Sequence, residues 1–258
     1  MDTAQLQQVR AWLEEARRVV VLTGAGISTD SGIADFRGPK GLWTLDPAAE
    51  KASHIDNYVA DPELRKRAWR TRTVALSAGP QPNAGHRALV ELEQSGRLCA
   101  LLTQNVDGLH QAAGSDPALV VEVHGTTREV MCLSCGERAP MERAIERVRA
   151  GEEDPPCRTC GGILKSATVS FGQSLVHEDL VRADAVARSC DLLLTLGTTL
   201  AVHPIADVVP LAVRAGARVV IVNDQPTEMD DLADVVLRAA IGELLPPLVA
   251  GLPPVDGR

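Results

Sequence analysis

No apolar run in this chain of 258 residues is long enough to cross a bilayer: Val19–Leu22, Leu98–Leu102 and Leu192–Leu196 each have the length of a single strand. The opening segment MDTAQLQQVRAWLEEARR is charged throughout and lacks the apolar centre of a secretory signal, so a soluble, cytoplasmic protein is expected. Positive charge is also in short supply. With 26 Lys and Arg against 34 Asp and Glu, the net charge of −8 speaks against a nucleic-acid face and mildly favours basic partners, including lysine-bearing polypeptides. Phenylalanine occurs only twice, which makes the placing of each one informative. Disorder is excluded by an apolar content of 45%, and the length suits one large α/β domain or a principal domain carrying a smaller insert.

Within those bounds the chain is organised around residues 23–43, TGAGISTDSGIADFRGPKGLW. The β-branched run before it suits a strand buried on both faces of a parallel sheet. Gly24, Ala25 and Gly26 form a turn that lets backbone approach a pyrophosphate, and Ser28, Thr29, Asp30 and Ser31 offer caps for a following helix whose N-terminus favours phosphate. The dehydrogenase fingerprint wants a third glycine at position 29, where this chain has Thr29, so that motif is absent. The continuation Asp35-Phe36-Arg37, followed by Gly41 and Trp43, sets an acid, an aromatic and a cation side by side. Such a grouping suits a flat ring meeting a flat ligand, or a small hydrophobic anchor for the loop.

The same design recurs at later strand ends, where open parallel sheets bind ligands. Leu98–Thr103 ends in Gln104, Asn105 and Asp107, a set suited to a ribose or carboxamide as well as to a polar turn. Leu119–Val123 ends in His124-Gly125. Asp191–Leu196 runs into Gly197-Thr198-Thr199, at the head of a helix expected after Pro204, and Arg218–Val222 into Asn223-Asp224-Gln225. Val235–Leu237 precedes Ile241 at the start of the last helix. Further helices are expected over residues 3–17, 62–75, 86–94 and 141–150. Arg65, Lys66, Arg67, Arg70 and Arg72 crowd the second of these, either as a solvated face or to meet an acidic ligand.

Cys132-x-x-Cys135 and Cys157-x-x-Cys160 are separated by 21 residues, each pair followed by glycine. Two such knuckles make a tetrahedral thiolate zinc site, and four thiolates leave no position open for water, so the metal is structural. A redox pair needs neither the second knuckle nor its spacing. The module is too small to fold on its own core. Strand-like sequence at 165–170 then implies a return to the main sheet. Cys99 and Cys190 fall in expected strands as buried apolar residues.

The segments Gly24-Ala-Gly-Ile-Ser28, Asp35-Phe-Arg37, Gly41-x-Trp43, Thr103–Leu109, His124-Gly125 and Val169-x-Phe171-Gly172 together resemble the sirtuins, the NAD-dependent protein lysine deacylases. The resemblance implies a Rossmann-like parallel sheet with helices on both faces, built from residues 1–44, 79–127 and 164–258. A helical insert at 45–78 and a zinc-binding insert at 128–163 would form a small domain. It further implies that NAD lies along Gly24, Ala25, Gly26, Ser28, Asp35, Phe36, Arg37, Trp43, Gln104, Asn105 and Asp107, with its adenosine half near Gly197, Thr198, Thr199, Asn223, Asp224, Gln225 and Ile241. Catalysis falls to His124 as general base with Asn105 and Asp107. An acyl-lysine protein or peptide enters past Val169, Phe171, Gly172 and Val202, and the products are free lysine, nicotinamide and 2′-O-acyl ADP-ribose. Gln173 stands where the family has an acid, and Ala34 where it commonly has proline. Members that remove succinyl or malonyl groups carry Tyr-x-x-Arg where Trp69 and Arg72 align here, so acidic acyl groups remain an alternative to acetyl. Mono-ADP-ribosyl transfer is a second alternative, and a non-catalytic NAD- or zinc-dependent binding module a third.

Overall fold

The computed structural model describes residues 3–39, 41–77 and 79–255. The outermost ends of the expected sheet domain, and positions 40 and 78, lie outside the described residues. Among the described residues nine strands follow in chain order: β1 Val19–Thr23, β2 Leu98–Thr103, β3 Val120–Glu122, β4 Gly125–Cys132, β5 Arg138–Pro140, β6 Leu164–Thr168, β7 Leu192–Leu196, β8 Arg218–Val222 and β9 Val235–Leu237. Six of them form one sheet in the order β3-β2-β1-β7-β8-β9, all parallel.

Alternation of side chains along each strand divides the core into two layers. Val19, Val21, Leu101 and Leu194 face the helices Thr3–Glu15, Ala84–Gln94 and Ile241–Val249. Val20, Leu22, Leu102, Leu193 and Ile221 face His177–Ala187 and Val208–Arg214. Every residue of β1 and β7 is buried, which is why both read as runs apolar but for one threonine each. The topology reverses between these two central strands, and there the loops after them diverge to open a crevice.

Those loops touch through glycine. A Cβ on Gly24 would lie 2.6 Å from the Gly197 carbonyl oxygen, and one on Gly197, whose φ is +65°, would lie 2.5 Å from the Ile27 nitrogen. The glycines thus serve backbone-to-backbone packing across the crevice floor as much as any ligand. Gly197→Ala is expected to cost about 1–3 kcal/mol from overpacking and the left-handed φ together, read as a lowered urea midpoint at unchanged m.

Thr3–Glu15 is held down at its C-terminal end by the buried Arg97, whose guanidinium donates to the carbonyls of Leu13 (2.8 Å) and Glu14 (3.1 Å) and to that of Pro253. Cys99 is half-buried in β2, whereas Cys190 lies in the turn before β7 rather than in a strand, buried against the second layer.

The remaining strands form an antiparallel sheet, β5-β4-β6. The expected return to the main sheet at residues 165–170 is therefore corrected: β6 pairs with β4, because Leu164 buries against Val130, Met141 and Ile145 instead of the parallel-sheet core. Trp69, from the helix Pro62–Ser77, joins that same small core. Among the described residues no helix is long and apolar enough to cross a membrane.

Candidate functional site

A cleft of about 1700 Å³ runs over the carboxyl ends of the main sheet and down to the small sheet. Of the residues proposed from sequence for nucleotide or substrate contact, all line it except Trp69.

The turn after β1 is a 3-10 helix, Ala25–Ser31, capped by the extended backbone of Gly24 without a side-chain bond. The expected capping by residues 28–31 is not made, because those side chains fall inside the turn. Thr29 Oγ1 donates back to the Gly26 carbonyl at 3.0 Å, and Ser28 is buried and turned toward the loop after β2. Ser28 Oγ donates to Asp107 Oδ2 at 2.7 Å, and Asn105 Nδ2 donates to the Gly24 carbonyl at 3.0 Å and to Ser28 Oγ at 3.2 Å. Asp107 Oδ1 accepts the Leu109 amide at 2.9 Å. Three strand-end loops are thereby tied together, since Gln104 Nε2 also donates to Thr198 Oγ1 at 2.9 Å. The helix expected after Pro204 begins there, as a 3-10 turn at Ile205, while Gly197 and Thr198 lie in the loop that precedes it. Asn223, Asp224, Gln225 and Ile241 line the same end of the cleft.

The Asp35-Phe36-Arg37 loop folds back on Trp43. Asp35 Oδ1 accepts the Gly38 amide at 2.8 Å, the Phe36 and Trp43 rings lie 4.8 Å apart, and the Arg37 guanidinium stands 4.7 Å from the Trp43 ring centre. Phe36 nevertheless keeps 42% of its surface exposed in the cleft, so it anchors the loop and still presents a face. Trp43 continues the aromatic row to Phe171 at 5.4 Å.

His124 stands where β3 ends and β4 begins, at the seam of the two sheets. Its Nδ1 lies 3.0 Å from the Gln104 carbonyl, an atom that only accepts, so Nδ1 carries the proton and Nε2 is the basic nitrogen. Burial lowers its pKa from the ordinary 6.5, with the bond to Gln104 partly opposing the shift. The neutral base consequently persists to lower pH than a free imidazole. If this proton acceptor limits turnover, rate rises with pH through a limb centred below 6.5, which a pH profile of kcat/KM reports.

Val169, Phe171 and Gly172 form the cleft wall leading from β6. Val169 N donates to the His124 carbonyl at 2.8 Å, while Phe171 exchanges backbone bonds with Ser53 and Ile55 at 3.1 and 3.0 Å. Gln173, in place of an acid, uses Oε1 to accept the Ser170 amide at 3.0 Å. Val202 also lines the cleft.

Trp69 is fully buried and faces away from the cleft, which withdraws it as a substrate contact. Its neighbour one turn on reaches past it: the Arg72 guanidinium packs 5.1 Å from the Trp69 ring, lies 3.5 Å from Tyr58 Oη and donates to Ser166 Oγ at 3.1 Å. Beside it the buried Lys165 donates to the Ser166 carbonyl at 3.2 Å and Thr168 Oγ1 at 3.1 Å; burial and the nearby Arg72 bring its pKa down to about 8. Sequence reasoning missed Tyr58 and Lys165. Tyr58 is the chain's single tyrosine, a rarity that marks it much as it marks the phenylalanines.

In the small sheet, the Sγ atoms of Cys132, Cys135, Cys157 and Cys160 all lie within 4.8 Å of one another, with Cys132–Cys160 at 3.5 Å and Cys135–Cys157 at 3.8 Å. A Zn–S bond of ~2.3 Å gives tetrahedral edges of ~3.8 Å, so the four fit one zinc ion. Gly136 and Gly161, at φ +73° and +74°, supply the left-handed step each knuckle needs. Glu137 Oε2 accepts from the Cys157 thiol at 3.2 Å, a bond given up when that sulfur binds metal as a thiolate.

Comparison with known proteins gives a consistent picture. The Sir2 family model matches residues 24–204. NAD-dependent protein deacetylase 2 of Streptomyces coelicolor is 50% identical over 234 residues, covering 91% of this chain and 97% of the relative; NAD-dependent protein deacetylase 1 of Bradyrhizobium diazoefficiens is 43% identical over 239 residues, covering 92% of each. Among solved structures, a Sir2 enzyme superposes with a TM-score of 0.86 at 36% identity, covering 96% of this chain and 97% of the other. Sir2 bound to a p53 peptide and NAD+ has a TM-score of 0.82 at 32% identity over 96% and 97%. A Sir2 variant holding a deacetylated p53 peptide and 3′-O-acetyl ADP ribose has a TM-score of 0.84 at 33% identity over 93% and 95%.

Proposed function

The chain belongs to the Sir2 family, and from that premise we propose that it is an NAD-dependent protein lysine deacetylase, transferring the acyl group to ADP-ribose with release of nicotinamide. The observation that carries this reading is His124. A bound basic imidazole, its proton fixed by Gln104, shares one cleft with the Ser28-Asn105-Asp107 network and the backbone wall at residues 169–172.

NAD, when bound, supplies the leaving nicotinamide and the ribose hydroxyl that receives the acyl group. Phe36, Asn105 and Asp107 are the residues that would hold the nicotinamide end, and Thr198, Asn223 and Ile241 the adenosine end. Along the wall at 169–172, where the amides of Val169, Ser170 and Phe171 are bonded within the chain, an acyl-lysine peptide adding as a strand would pair with the Val169 carbonyl and Gly172, a mode that grips main chain without demanding one sequence. His124 Nε2 accepts the ribose hydroxyl proton, and holding a weak acyl-oxygen nucleophile in line with its target provides the rest of the acceleration. The product ester is expected at the 2′ hydroxyl; its 3′ isomer is the species named in the Sir2 neighbour. One zinc held by the four cysteines is structural. A reducing compartment suits such thiolates, so we place the enzyme in the cytoplasm. We divide the chain into the parallel-sheet unit and a small unit of residues 45–78 and 128–163, with β6 moving its last boundary beyond Thr168.

Incubation with NAD and acetylated, succinylated or unmodified peptide tests the reading. Acyl loss matched by nicotinamide release is the expected result. Peptide mass gain would mean mono-ADP-ribosyl transfer, and no NAD consumption a binding module.

Acidic acyl groups are a second reading, favoured by Arg72, Tyr58 and Lys165 converging on the cleft wall. On this reading, Arg72→Leu lowers kcat/KM for a succinyl-lysine peptide about 10- to 100-fold, the worth of one charge-assisted hydrogen bond, and spares the acetyl substrate. Wild-type indifference to succinyl peptide would remove it.

A further inference from the structure

Beneath the Asn105 loop lies a pair of buried histidines that the chemistry above does not use. His86 and His110 have ring centres 5.0 Å apart, and both are essentially without solvent exposure. His86 Nδ1 accepts the Asn83 amide at 3.4 Å in a capping box at the start of Ala84–Gln94, so its proton sits on Nε2, which has no hydrogen-bond partner. His110 Nε2 meets Thr23 Oγ1 at 3.0 Å, and Thr23 donates onward to Thr103 Oγ1 at 2.8 Å. Because that hydroxyl has given its proton to Thr103, it accepts from His110, which places the His110 proton on Nε2 and leaves Nδ1 as a bare acceptor, likewise unpartnered. The free nitrogen of His86 is therefore a donor and that of His110 an acceptor. In the swapped tautomer of His110, Nε2 would be an acceptor, and the Thr23 hydroxyl would have to turn from Thr103 to keep the bond.

The chain of bonds then continues to the site. Thr103 Oγ1 also accepts the backbone amide of Asn105 at 3.1 Å, and Asn105 in turn holds Gly24 and Ser28. We propose that His110 is a positioning residue: through Thr23 and Thr103 it fixes the amide of Asn105. Unlike His124, it does not line the cleft. Burial and the neighbouring His86 push the pKa of His110 down to about 3, so the ring stays neutral and the chain of donors keeps one direction across the working pH range.

The inference rests on the deacetylase reading, and the test keeps the two apart: absence of NAD-dependent deacetylation in the wild-type protein would remove that reading, whereas the comparisons below are made relative to a working wild type. His110→Leu removes the donor to Thr23, and His110→Gln restores an N–H at a similar reach. The expected result is a five- to twentyfold rise in the KM for NAD for His110→Leu, with the peptide KM within twofold of wild type, and recovery to within threefold in His110→Gln. A merely structural role would lower melting temperature and active fraction without splitting the two KM values. If neither variant folds, nitrogen-15 NMR of the wild-type imidazoles still decides, since the proposal requires the Nε2–H tautomer of His110 from pH 5 to 8. An Nδ1–H tautomer, or a His110→Leu enzyme with both KM values unchanged, overturns it.

Discussion

His124→Ala is expected to lower acyl-lysine turnover by about 10²–10⁴-fold, the usual worth of a general base, while NAD affinity changes little. The separation of effects follows from where the ring is anchored. Its Nδ1 bonds the backbone carbonyl of Gln104, and among the described residues no side chain takes a hydrogen bond from it. The loops that would hold NAD are tied through Asn105, Ser28, Asp107 and Gln104–Thr198, which do not include it. Removing a half-buried imidazole at a strand end leaves the core layers untouched, so the melting temperature should shift by only a few degrees. Calorimetric titration with NAD alongside mass analysis of the acetyl-peptide measures both halves. Near-normal deacetylation by this variant would take His124 out of the mechanism.

Cys157→Ala is expected to empty the metal site and to disable the enzyme although the cysteines lie outside the cleft. Zinc in a four-thiolate site contributes on the order of 10 kcal/mol to folding of the unit that holds it, which exceeds what the six buried side chains packed beside Cys132 and Cys157 secure unaided. Loss of the metal therefore frees β4 and β6. β6 runs directly into Val169 and Phe171, and Val169 hydrogen-bonds the His124 carbonyl, so disorder in the small sheet reaches both the substrate wall and the base. Metal analysis should fall from about one zinc per chain to near zero. Limited proteolysis should cut within residues 128–163 while the parallel sheet keeps its far-ultraviolet signal. A zinc-free protein with full activity and the same protease resistance would contradict this account.

Much of this arrangement is legible in the sequence because its parts are local. β1, β2, β7 and β8 are short apolar runs that end in glycine or short polar residues, and parallel pairing carries all those ends to one edge. The cysteine knuckles are equally local, and their sulfurs meet as the spacing requires. What sequence did not disclose depends on partners distant along the chain. β6 has a strand's composition, but whether it joins the main sheet or β4 is decided by Leu164 burying against Met141 and Ile145. Trp69 and Arg72 share a helix face, yet the indole is drawn into that core while the longer guanidinium reaches the cleft. Residues 28–31 look like helix caps until Ser28 finds Asp107. Each miss is a tertiary contact overriding a local propensity.

Arg97 has a consequence for anyone handling the two ends of this chain. Its guanidinium is shared between the close of the first helix and the backbone at Pro253, and Val255 N adds a bond to the Ser95 carbonyl. Trimming residues 253–255 would strip one acceptor from a buried cation, a loss of about 1–3 kcal/mol, so a fusion partner or affinity handle belongs beyond that fastening and never in its place.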